Sequence, residues 1–147
     1  MKEFRTIEIS SPKFENDFLR YITVKSENLK GRGDICVFVP PEIEDMTGCP
    51  LVILLPGVYG SAWCWSLNGG AHLTALDMIK KKLIAPMVIA MPSDGLWGDG
   101  SGYLPHDGFD FEKWIAEEVP TAVKKCIPAV DAQSKMFIGG LSMGGFG

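Results

Sequence analysis

The stretch Gly140-Leu141-Ser142-Met143-Gly144, set between the apolar run Met136-Phe137-Ile138 and a further Gly145, decides how this chain is read. At a strand-to-helix junction the pattern bends the backbone so sharply that the serine hydroxyl stands clear above the strand ends. Glycines on either side let neighbouring backbone approach with no side chain in the way. The same five residues also fit a plain glycine-rich turn whose serine caps the next helix, since serine is a favoured N-cap. Residues upstream weigh between the two.

There, Leu51-Val52-Ile53-Leu54-Leu55 runs between Pro50 and Pro56 into Gly57-Val58-Tyr59-Gly60. An uninterrupted Leu/Val/Ile run bounded by prolines fits a parallel strand covered on both faces. Acyl-transfer sites draw two backbone N–H donors for a developing oxyanion, one from a loop beyond such a strand and one from the residue after the serine. In this chain those donors are Val58 and Met143. Neither is a proline, so both carry an N–H, and Gly57 lets the loop bend. An ordinary βα turn accounts for Gly57 and Gly60, but not for their pairing with a glycine-flanked serine.

Four blocks run in order through the chain: Leu54-Leu55-Pro56-Gly57 with Gly60-Ser61 and Trp63, then Ala90-Met91-Pro92-Ser93-Asp94-Gly95, then Glu117-Glu118-Val119-Pro120, then Gly140-Leu141-Ser142-Met143-Gly144-Gly145. In them the chain resembles the esterase family of α/β-hydrolases that includes S-formylglutathione hydrolases, tributyrin-type esterases, acetyl-xylan and feruloyl esterases and the mycolyltransferases. Pro56 departs from the pattern, since members usually carry a histidine before the glycine of the first block. The resemblance implies a serine carboxylic-ester hydrolase acting through an acyl-enzyme, with Ser142 as nucleophile and the amides of Val58 and Met143 as oxyanion hole. The implied substrate is a small or moderate ester, with a carbohydrate acetyl ester or a thioester among the candidates. An acyltransferase on the same fold is the alternative, as is a catalytically inactive fragment or binding module.

In this fold the acid and then the histidine of the triad follow the serine. The chain stops at Gly147, and its two histidines, His72 and His106, both precede Ser142. Residues 1–147 are therefore expected to be the N-terminal part of a single α/β-hydrolase domain, ending just after the nucleophile elbow and incomplete at the C-terminus. The remainder, a C-terminal segment or a second chain, is needed to cover apolar faces and open sheet edges. His72 falls at a helix start, where capping or surface exposure accounts for it. His106 falls in a long glycine-rich loop. Asp94 and Asp107 read as turn residues, since Asp bonds its own backbone in turns.

Composition fits a core-forming chain of 147 residues, 46% hydrophobic and 22% charged. Its mean hydropathy of +0.13 is high for a chain that stands alone. A net charge of −4 argues against a nucleic-acid partner, and the basic cluster Lys80-Lys81-Lys82 reads as a solvated helix end that complements the dipole. No apolar run approaches the roughly 18 residues of a membrane span. The N-terminus lacks a secretory signal, so a cytoplasmic location is the expectation. Cys36, Cys49, Cys64 and Cys126 show no C-x-x-C spacing, so neither a metal nor a redox pair is indicated, and no cofactor is expected. Cys36 and Cys126 read as buried thiols. Cys64, between Trp63 and Trp65, fits either small core filling or the lining of a pocket. Homo-oligomerisation stays open.

Periodicity predicts an α/β architecture with a mainly parallel sheet and antiparallel N-terminal strands. Residues 4–10, 18–26 and 34–39 alternate as antiparallel strands, followed by a polar loop over 42–49. Parallel strands are predicted at 51–55, 87–91 and 135–138, separated by helices. The first helix spans 71–83, with Leu73, Leu76, Ile79 and Leu83 as its apolar stripe. The second begins after an Asp110 cap, buries Phe111, Trp114, Ile115, Val119, Ala122, Val123 and Cys126, and kinks at Pro120. Glu112, Glu117 and Glu118 toward its start and Lys124 and Lys125 toward its end match the dipole.

Between strand 87–91 and that helix lies the loop 96–110, long enough to be functional. Trp63, Trp65, Trp97 and Tyr103 fall in loops leaving the C-terminal ends of strands, where open α/β sheets bind ligands. They are the candidate walls of a substrate pocket.

Overall fold

The alternating N-terminal third becomes three antiparallel strands, β1 (Ile7–Ile9), β2 (Leu19–Ser26) and β3 (Gly31–Phe38), in the computed structural model, which describes residues 4–147. β3 begins three residues earlier than the alternation predicts, and it contains Gly33, a residue that weakens strands. Close packing explains it: a Cβ on Gly33 would lie 2.5 Å from the indole of Trp114.

The apolar runs form β4 (Leu51–Leu55) and, after helix α1 (Ala71–Lys80), β5 (Val88–Pro92). A two-stranded ribbon, β6 (Pro105–His106) with β7 (Phe109–Asp110), interrupts the long loop. Then come α2 (Phe111–Lys113), a π-helical turn (Trp114–Glu118), α3 (Val119–Cys126), β8 (Met136–Gly140) and α4 (Met143–Phe146). The main sheet is mixed, in the order β1-β2-β3-β5-β4-β8, with β5, β4 and β8 parallel.

Helices cover both faces. Trp114, Ile115, Val119, Ala122 and Val123 pack with Ile22, Ile35, Ile53, Leu55 and Ala90 on one side, while Ala75, Leu76 and Ile79 of α1 pack with Cys36, Phe38, Ile89 and Met91 on the other. This division follows from topology. From β4 the chain crosses to β5 on one side, then returns past β4 to β8 on the other. Right-handed crossovers in opposite directions place their helices on opposite faces, and the reversal leaves a crevice at the C-terminal ends of β4 and β8.

Asp110 caps the second helical segment as expected, accepting from the Lys113 N–H at 2.9 Å. Pro120 lacks the N–H that a regular helix needs, and the chain widens into the π turn just before it, with the Val119 N–H reaching back to the Trp114 carbonyl. Glu118 does more than face the helix dipole: its carboxylate accepts from Ser26 Oγ at 2.5 Å and the Glu27 N–H at 3.0 Å, tying the helix to the end of β2.

Three expectations need correction. α1 ends at Lys80 rather than 83, because Lys82 adopts a left-handed φ of 58°, and Leu83 is exposed. Leu73 also points outward, and the buried face is His72, Ala75, Leu76 and Ile79. His72 is thus neither cap nor surface residue: it packs edge-on to Phe38 at 6.4 Å. β8 pairs with β4 alone among the described strands, and its Met136, Phe137 and Ile138 are more than half exposed.

Candidate active site

Parallel neighbours end at the same edge of a sheet, so the loops that follow β4 and β8 emerge side by side. In the register of the two strands Leu55 faces Gly140, and the Leu141 N–H donates to the Leu55 carbonyl at 3.2 Å. Gly57 and Ser142 each lie two residues beyond that pair and meet: a Cβ on Gly57 would lie 3.3 Å from Ser142 Cβ and 3.8 Å from its Oγ.

Ser142 has φ 55° and ψ −116°, a conformation that costs an L-residue on the order of 1–3 kcal/mol. Its side chain is exposed and makes no hydrogen bond to the following helix, so the capping alternative falls away. The glycines around it are required by sterics. A Cβ on Gly140 would lie 2.0 Å from the Gly144 carbonyl oxygen, and one on Gly144 would lie 2.4 Å from the carbonyl oxygen of Leu55. The first turn of α4 therefore rests directly on the ends of β8 and β4, and the strained serine is held from both sides.

Val58 sits in a tight turn closed by the Gly60 N–H on the Gly57 carbonyl at 3.0 Å, with Tyr59 at a left-handed φ of 63°. Among the described residues neither the Val58 nor the Met143 N–H donates to a protein acceptor. An exposed hydroxyl thus stands beside two adjacent segments with uncommitted amides. That combination suits an attacking oxygen and the negative charge its attack creates.

The four aromatic candidates are dispersed rather than gathered into one wall. Trp63 is half exposed and lines a groove of about 370 Å³ with Tyr21, Ser61, Ser93 and Leu96. Trp65 packs into the layer beneath α1. Trp97 stacks on His106 at 4.3 Å and contacts Phe109 and Phe111. Tyr103 is buried and donates its hydroxyl to the Pro56 carbonyl at 3.2 Å; burial, then the nearby Asp94, push its pKa well above the usual phenolic value.

Both histidines are engaged elsewhere. His106 Nε2 donates to the Ser101 carbonyl at 2.7 Å, and His72 lies in the core, where burial lowers its pKa. Cys36 is buried beside Ser66, whereas Cys64 and Cys126 are only partly buried, and burial raises the pKa of all three thiols. Among the described residues no His, Cys, Asp and Glu side chains gather in a way that could hold a metal ion, and no helix is long and apolar enough to cross a membrane. Asp94 is the turn residue its sequence position suggests, its buried carboxylate accepting from the Leu96 N–H two residues on at 3.2 Å, and it also reaches the Ser101 N–H at 3.0 Å, a longer-range bond that turn chemistry alone does not predict.

No family model matches the chain. An uncharacterized protein of Corynebacterium glutamicum is 27% identical over 115 residues, covering 76% of this chain and 27% of that protein. Among solved structures a ferulic acid esterase superposes with a TM-score of 0.74 at 20% identity, over 98% of this chain and 54% of its own. An S-formylglutathione hydrolase from Agrobacterium tumefaciens superposes with a TM-score of 0.68, also at 20% identity and over 98% and 54% of the two chains. The chain spans about half the length of these structures. Strand order, the strained serine turn and these likenesses together give the chain the α/β-hydrolase fold.

Proposed function

We propose that this chain supplies the nucleophile and oxyanion hole of a serine carboxylic-ester hydrolase. The observation that carries the reading is the strained, exposed Ser142 at the junction of β8 and α4, in contact with the glycine that precedes Val58. Ser142 Oγ attacks the ester carbonyl and passes its proton to an imidazole. The amides of Val58 and Met143 receive the oxyanion, the alcohol leaves with a proton from the imidazolium, and water then releases the acid. Each oxyanion donor in such sites is typically worth about 10²–10³ in turnover.

His72 and His106 are engaged elsewhere, so the imidazole and the carboxylate that orients it come from a segment beyond residues 1–147 or from a second chain. An acyltransferase on the same fold is the second reading. A competing alcohol or sugar that captures the acyl group faster than water favours it.

The test is covalent labelling of the full-length protein with a fluorophosphonate probe, followed by peptide mass analysis. A single adduct on Ser142, absent in Ser142→Ala, is expected, together with a burst of p-nitrophenol from a p-nitrophenyl ester. A labelled Ser142→Ala variant, or no adduct on the parent, removes Ser142 from the mechanism.

A further inference from the structure

The loop that follows β5 leaves the sheet on one side of β4 and reaches the residue after Ser142 on the other. Asp94 closes its first part, each carboxylate oxygen holding one N–H, of Leu96 and of Ser101. Ser101 continues the chain of bonds, its Oγ accepting from the Tyr103 N–H at 3.1 Å. Tyr103 then fixes the Pro56 carbonyl, and the Tyr59 hydroxyl donates to Asp99 at 3.1 Å, so the loop holds the turn around Val58 at two points.

The same loop grips Met143. Its Sδ accepts from the Gly102 N–H at 3.3 Å. Gly100, at φ 111°, lies between the two side chains: a Cβ there would be 2.8 Å from Met143 Sδ and 3.0 Å from Val58 Cγ2. Left-handed φ values at Gly95, Gly98, Gly100 and Gly102 let the segment follow this path.

We infer that residues 94–102 form a clamp that sets the spacing of the Val58 and Met143 amides, with Asp94, Gly100 and the Met143 thioether as positioning residues for the oxyanion hole. The inference rests on the serine-hydrolase reading and adds to it. Sheet hydrogen bonds fix the two strands only as far as Leu55 and Leu141. The amides lie beyond that point on separate loops, and a pair of donors works only when both reach one oxygen at hydrogen-bond distance.

The test compares Asp94→Asn, Gly100→Ala and Met143→Leu with the parent in the full-length protein, using a p-nitrophenyl ester and its thionoester. Thiocarbonyl sulfur is a poor hydrogen-bond acceptor, so an intact oxyanion hole favours the oxygen ester strongly. Displaced donors lose that preference. Each variant is expected to lower kcat on the oxygen ester about ten-fold or more with little change in KM, and to compress the ester-to-thionoester ratio. Natively folded variants with the parent's kcat and ratio overturn the inference. An equal loss on both esters also overturns it, because that marks general loosening. If Asp94→Asn does not fold, the other two variants decide. Failure of the underlying reading is seen separately, as a parent protein that a fluorophosphonate does not label at Ser142.

Discussion

Gly57 and Ser142 touch across the ends of two parallel strands, with room for a hydrogen at Gly57 and little more: a Cβ there would lie 3.3 Å from Ser142 Cβ. The contact follows from register. Each residue stands two positions past the pair formed by Leu55 and Gly140, so strand pairing brings the loop after β4 close to the serine.

Gly57→Ala is expected to keep the fold and impair chemistry. The added methyl pushes Ser142 by a few tenths of an ångström, and sub-ångström misplacement of a reacting atom costs about ten-fold in kcat. Steady-state kinetics on a p-nitrophenyl ester, with thermal unfolding as the control for folding, checks it. An unchanged kcat contradicts the close approach.

Gly144→Ala is expected to damage the fold itself. Its Cβ meets the backbone carbonyl of Leu55 at 2.4 Å, and backbone at the end of a central strand has no room to retreat. The loss is on the order of 3 kcal/mol or more, seen as a lower urea midpoint or as insoluble protein. A stable, soluble variant contradicts the packing of α4 on β4.

Ser142→Gly is expected to be inactive and more stable. Glycine accepts φ 55° and ψ −116° without the steric penalty that serine bears, so removing the side chain releases about 1 kcal/mol of strain. Chemical denaturation of parent and variant measures it. A less stable variant argues that Ser142 carries a structural load beyond strain.

His72 gives the fold an acid sensitivity. Burial lowers the pKa of its ring from the ordinary 6.5, with Asp17 acting in the opposite direction, so the folded chain holds the neutral form. As pH falls below 6.5 the unfolded chain takes up the proton first, and stability declines until the folded ring is protonated too. Above that value the contribution is complete. His72→Leu is expected to flatten the decline in urea midpoint between about pH 7 and pH 5. A slope equal to the parent's assigns the acid sensitivity to other groups.

The helical stripe of α1 shows where periodic reading stops. Leu73, Leu76, Ile79 and Leu83 fit a 3.6-residue repeat, yet the packed face includes His72 and Ala75 and leaves Leu73 and Leu83 outside. Spacing fixes that a face exists; the partner surface, Phe38 and its neighbours, fixes which residues fill it. The aromatic loops teach the same lesson. Trp97 and Tyr103 belong by position to the rim of the sheet, but one closes over His106 and the other is locked under Pro56.

What the sequence determined by itself is local. Proline-bounded apolar runs set β4 and β5, the Asp110 cap started the second helical segment, and glycines at 140 and 144 around Ser142 marked the strained turn. Each depends on residues within a few positions of one another. Tertiary structure alone decided that β8 lies beside β4 in a register that sets Gly57 against Ser142, and that a loop from β5 crosses β4 to hold Val58 and Met143. Those contacts join segments 40 or more residues apart, where no periodicity reaches and only strand order and packing bring the atoms together.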